Sequence, residues 1–124
     1  MEPDAPTLDE GILHEVLEST GDDIGFVREL IETYLADTPA QLEAMAAAVE
    51  ADDAAALVRP AHTLKSSSAT VGASRLSALA RELEMAGRSG ALQPEVYASL
   101  DAAQREWQVT ADALTAWLDR ASVE

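Results

Sequence analysis

The chain has 124 residues, no cysteine, and an apolar share of 48% that holds only 4% aromatics. That length suits one domain with a single core; the alanine-heavy composition favours closely packed helices over a sheet, and the missing thiols rule out a disulfide framework or a thiolate metal site. A net charge of −15 sets most of the surface against nucleic acid, no apolar run approaches the roughly 18 residues that span a bilayer, and the acidic start MEPDAPTLDE is unlike a basic leader, so the expectation is a soluble, cytoplasmic protein.

Residues 1–6, with two prolines, read as a disordered tail, and residues 7–122 as one helical domain. A short first helix is expected from Thr7 as N-cap, with Asp9 and Glu10 in its first turn and Ile12, Leu13, Val16 and Leu17 as its apolar stripe. Gly21 stops it. His14 falls outside that stripe beside Glu10 and Glu15 and reads as a surface residue. A second helix begins near Asp22 or Asp23 and carries Phe26, Leu30, Ile31, Tyr34 and Leu35 at helical spacing; Pro39 must either kink it or start a new helix.

Asp52 or Asp53 caps a third helix through Val71, in which Pro60 removes one backbone hydrogen bond. Gly72 ends that helix, and Ser74 is expected to cap a fourth with Leu76, Leu79, Ala80 and Leu83 on one side. After a loop with two glycines, Pro94 opens a last long helix whose buried stripe includes Val96, Leu100, Ala103, Trp107, Leu114 and Leu118 or Trp117. Short loops imply antiparallel neighbours. The expected fold is therefore all-α: an antiparallel up-down four-helix bundle with the short extra N-terminal helix packed at one end.

The third helix carries the chemistry. At about 100° per residue its Leu57, Leu64 and Val71 share one narrow stripe, and His62 lies roughly 140 to 160° from it. The imidazole therefore points to water, amid short side chains, between Arg59 at i−3 and Lys65, the only lysine, at i+3. Between Arg59 and Arg88 five basic residues stand against two acidic ones, a cationic segment on an acidic chain, suited to docking on an acidic surface. A neutral imidazole nitrogen is a competent nucleophile, and an adjacent ammonium can neutralise phosphoryl oxygens. Nothing in the sequence supplies a metal or nucleotide site, so a partner must bring both.

The run HTLKSSSATVGA, residues 62–73, resembles the signature of the histidine-containing phosphotransfer (HPt) domains of bacterial phosphorelays, which read His-x-Leu-Lys-Gly followed by small residues and Gly-Ala. The resemblance aligns His62 with the phosphoacceptor, Leu64 with the core leucine, Lys65 with the phosphate-facing lysine, and Gly72 and Ala73 with the following turn. Ser66 stands where the family most often has glycine. The resemblance implies a phosphoryl carrier and not an enzyme: His62 would accept a phosphoryl group from a receiver-domain aspartate and pass it to another receiver. The receiver domains of response regulators and hybrid histidine kinases would be the partners, contributing the aspartate and Mg²⁺, and the chain, a monomer, would need no cofactor or metal of its own. Val58, Arg59, Ser66, Ala69, Phe26 and Leu30 are the expected docking residues.

Other readings fit less well. A di-metal bundle would pair Glu-x-x-His residues, but Arg59 and Val58 stand three and four before His62. The Asp-Ser-Leu attachment motif of acyl carrier proteins is missing. Sensor-kinase dimerisation domains follow their histidine with an acid and a proline, unlike Thr63 and Leu64. An HPt-like bundle that binds response regulators without carrying phosphate remains the alternative, kept open by Ser66.

Overall fold

The computed structural model describes residues 4–122, so part of the expected tail, residues 1–3, lies outside the described residues. Within the remainder of that tail the carbonyls of Ala5 and Pro6 accept hydrogen bonds from Nε and the backbone N–H of Arg75, at 2.8 and 2.9 Å.

Five helices follow one another: α1 (Glu10–Ser19), α2 (Ile24–Glu50), α3 (Ala54–Thr70), α4 (Ser74–Arg88) and α5 (Glu95–Ser122). Three start on an aspartate whose carboxylate accepts a backbone N–H of the first turn: Asp9 from Gly11, Asp23 from Phe26 and Asp53 from Ala56, each at 3.1 Å. Asp9 takes the role expected of Thr7, because a carboxylate both accepts the free N–H and carries the negative charge that a helix N-terminus favours. At α4 the N-cap is Ala73, without a side-chain cap, and Ser74 is already the first helical residue. Its hydroxyl turns back to the Gly72 carbonyl at 3.4 Å.

Pro39 and Pro60 both sit inside continuous helices. Each removes one intrahelical bond at a cost of about 3 kcal/mol, so packing must hold the helix together through these points. Pro60 itself is buried, and Thr38, also buried, donates its hydroxyl to the Tyr34 carbonyl at 2.7 Å, satisfying a backbone acceptor one residue from that which Pro39 leaves open.

The helices α2, α3, α4 and α5 close a ring in which each packs on its two neighbours. Ile31, Met45, Leu57, Leu64, Leu76, Leu79, Leu83 and Leu114 are among the fully buried side chains of one shared core. Trp117 and Leu118 both belong to that core, whereas Trp107 is only half-buried, edge-on to the Tyr34 ring at 5.5 Å. The fold is thus the expected all-α bundle, with α1 across the end where α3 turns into α4.

Gly72 makes that end possible. Its φ of +77° is a conformation that L side chains seldom adopt. The turn closes with the N–H of Ala73 on the Ser68 carbonyl at 2.8 Å and that of Gly72 on the Ala69 carbonyl at 3.2 Å, the two bonds of a Schellman ending. The Gly72 carbonyl then accepts the Asp9 N–H at 2.7 Å, and a Cβ on Gly72 would lie 2.6 Å from the Asp9 carbonyl oxygen. The glycine therefore both ends α3 and seats α1, whose Leu13 is fully buried. Among the described residues no helix is long and apolar enough to cross a membrane.

Candidate functional site

Helix α3 turns Leu57, Ala61, Leu64 and Ser68 fully inward. His62, on the opposite flank, keeps 54% of its side chain exposed. Beneath it runs the seam with α4, and the two helices come close because α4 has Gly87 at the crossing: a Cβ there would stand 2.8 Å from the Ala54 carbonyl oxygen and 2.9 Å from Cγ2 of Val58. That closeness brings Glu84, one turn earlier on α4, within reach of the imidazole.

Glu84 is the centre of the site. Its side chain is only 5% exposed, and one carboxylate oxygen lies 2.9 Å from His62 Nδ1. The other accepts from Lys65 Nζ at 2.7 Å, while Arg88 donates from Nε and Nη2 at 3.0 and 2.7 Å. An unpaired buried carboxyl would resist ionisation. Here the hydrogen bonds from Lys65, then from Arg88, and the weaker one from His62 outweigh desolvation and hold the carboxyl down to about 2 from an ordinary 4.5.

The tautomer follows from that ionisation. A carboxylate has no proton to give, so the 2.9 Å contact puts a hydrogen on Nδ1, and in the neutral ring the lone pair is then on Nε2. The contact also fixes the ring plane, as a hydrogen-bond acceptor behind an imidazole does. Charge is balanced toward the positive: two cationic side chains, Lys65 and Arg88, share one buried anion. The same arrangement makes a metal site unfavourable, and among the described residues no group of three or more metal-ligating side chains forms.

The Hpt domain family profile matches residues 29–122. The chain belongs to the Hpt domain family. It is also similar to a solved structure, the histidine-containing phosphotransfer protein B (HptB) from Pseudomonas aeruginosa PAO1, at 31% sequence identity over 94% of this chain and 97% of that one, with a TM-score of 0.82. Among curated proteins none matches.

Around the imidazole of this Hpt domain the expected residues divide into groups. Ser66 and Ala69 are exposed on the outward face of α3, as is Arg59, while Val58 is half-buried against Gly87. Leu30 is half-buried and lines a groove of about 280 Å³ between α2 and α3 with Tyr34, Thr63, Ser67 and Val71. Phe26, 48% exposed, stands one turn earlier on α2 and does not line that groove. On the other side of α3 a second groove of about 290 Å³ is lined by Lys65, Ala69, Ser77 and Arg81, with Ile12 of α1. His14 is a surface residue edge-on to Trp117 at 6.2 Å and takes no part.

Sequence reasoning missed Glu84 and Arg88 as members of the site. Two signals pointed to them: an acid at the edge of the α4 stripe that contains Ala80, Leu83 and Gly87, and an arginine four residues on. What the sequence lacked was the register of α4 against α3, which Gly72 and Gly87 fix together.

Proposed function

We propose that this protein is a phosphorelay intermediate that takes a phosphoryl group from an aspartyl phosphate in one receiver domain onto Nε2 of His62 and passes it to the aspartate of another. The Nε2 lone pair attacks phosphorus, the bond from phosphorus to the aspartyl oxygen breaks, and the carboxylate leaves with that electron pair. No proton moves. The hydrogen stays on Nδ1, and the positive charge that grows on the ring is met by ionised Glu84, so the stabilisation is built before the reaction begins. In the return step the second receiver's carboxylate attacks phosphorus and the pair in the N–P bond goes back to Nε2.

Lys65 and Arg88 hold the same carboxylate that His62 touches, and in this reading their charge also meets the phosphoryl oxygens. The receiver brings the aspartate and Mg²⁺, and the chain acts as a monomeric carrier in the cytoplasm. Ser66, Ala69 and Arg59 on α3, half-buried Val58, and Leu30 with Phe26 on α2 form the docking face; the short side chains beside His62 let a partner surface approach the ring.

The observation that carries this reading is the 2.9 Å contact from His62 Nδ1 to Glu84 beneath a half-exposed imidazole. The test is incubation with a radiolabelled phosphoreceiver. Native protein should acquire an acid-labile, alkali-stable phosphoryl group, and His62→Gln, with unchanged helicity, should acquire none. Label retained on the variant would place the acceptor elsewhere, and a receiver that binds without labelling the native protein would make the chain a passive binder.

A further inference from the structure

Arg81 on α4, like Arg59 on α3, is an exposed cation near the site that no acid among the described residues neutralises. Lys65 and Arg88 are engaged by Glu84, and Arg75 is turned to Glu106 at 3.9 Å and to the Ala5 carbonyl. Arg81 is exposed, and no carboxylate among the described residues lies within ion-pair distance of it.

Its place on α4 is set by its neighbours. Ser77, four residues earlier, donates its hydroxyl to the Lys65 carbonyl at 2.9 Å, and Glu84, three residues later, takes Lys65 Nζ and His62. Residues at these spacings share one face of a helix, so Arg81 stands on the α4 bank of the seam, level with Lys65. It lines the groove of about 290 Å³ that also holds Lys65 and Ala69. On a chain of net charge −15, an exposed guanidinium without a partner beside the nucleophile gains from an acid only when another molecule supplies it.

We propose that Arg81 is a docking and specificity residue for the receiver, reading a carboxylate on the rim of the receiver's phosphorylation pocket through the groove between α3 and α4. This rests on the carrier reading, and it deepens that reading by placing partner discrimination on α4, outside the docking face on α2 and α3. A rim charge of this kind governs encounter and its salt dependence more than the chemical step. Arg81 is a positioning residue here, since it touches the partner and not the reacting atoms.

The experiment has two arms. In the first, transfer from a labelled phosphoreceiver is followed as a function of receiver concentration and salt. Arg81→Ala should raise the half-saturating concentration by about three- to tenfold and flatten its salt dependence, with the maximal rate unchanged; Arg81→Glu should do more and Arg81→Lys much less. Arg105→Ala, which removes a solvent-exposed pair with Asp101 on α5, should change neither. The second arm measures binding of the same receiver to His62→Gln with and without Arg81→Ala, which reports docking without transfer. Equal affinity and equal salt slope in both arms would overturn the role of Arg81 and leave the carrier reading standing. A native protein that takes no phosphoryl group while the second arm still shows the Arg81 effect would overturn the carrier reading alone.

Discussion

Two glutamates are buried to almost the same depth, and their surroundings could hardly differ more. Glu84, on α4, has Lys65, Arg88 and His62 within 3.0 Å of its oxygens. Glu106, on α5, is 6% exposed, has Thr110 at 3.4 Å, and among the described residues reaches one cation, Arg75, at 3.9 Å. Beside it, burial above all and the Glu106 charge push the Tyr34 hydroxyl up to about 12, against the opposing hydrogen bond to Ser68. Tyr34 is therefore a neutral hydroxyl that ties α2 to α3 at 2.7 Å. The comparison separates a carboxylate that gathers a half-exposed imidazole and two cations at the surface from one that meets a hydroxyl and a single distant guanidinium between helices. Burial alone does not mark function; the number and the kind of donors brought to the carboxylate do.

The largest expected effect comes from breaking the stronger cluster. A hydrogen bond to a charged group contributes about 1.5–3 kcal/mol, so Glu84→Ala should slow phosphotransfer to His62 by roughly 10- to 100-fold, measured as single-turnover transfer from a saturating phosphoreceiver. Glu84→Gln, whose amide oxygen still accepts from Nδ1 but brings no charge, should lose less. Equal rates in native protein and Glu84→Ala would remove Glu84 from the chemistry.

Acid titration sharpens the same contrast. Because folding lowers the carboxyl of Glu84 to about 2 from 4.5, its contribution to stability is present above about pH 4.5 and is lost as pH falls toward about 2; stability rises with pH wherever the unfolded chain binds the extra proton. Denaturant melts between those limits should therefore show a shallower acid limb for Glu84→Gln than for native protein. Parallel limbs would mean that the carboxylate is not held by its three partners.

The smallest effect is expected at the other glutamate. Glu106→Gln keeps an acceptor for Thr110 and gives up a long ion pair, so it should shift stability at pH 7 by less than about 1 kcal/mol and leave transfer to His62 unchanged. A loss of transfer as large as that of Glu84→Ala would dissolve the distinction between the two.

Much of this is legible in the sequence. The 3.6-residue spacing of Leu57, Leu64 and Val71 placed His62 outward, and the small-residue run closing on Gly72 predicted where α3 ends. Helix termini were less legible: Asp9 and not Thr7 caps α1, because both side chains offer an oxygen and the carboxylate adds the charge that a helix N-terminus favours. Pro39 left two outcomes open, and burial of Thr38 and Tyr34 decides for one continuous α2. Glu84 was the hardest to read. Its role depends on a residue 22 positions away across a turn, and neither periodicity nor charge counting carries that register. For the same reason the engagement of Lys65, aligned by resemblance with the phosphate-facing lysine, by Glu84 at 2.7 Å was not legible.

The claim on which the account depends is a neutral His62 with its proton on Nδ1 and its phosphoryl group on Nε2. Long-range ¹H–¹⁵N correlation spectra of selectively labelled protein, before and after phosphorylation, read both positions directly. The account predicts the Nδ1–H tautomer in the resting protein and phosphorus coupled to Nε2 in the product; a resting Nε2–H tautomer, or phosphorus on Nδ1, would contradict it.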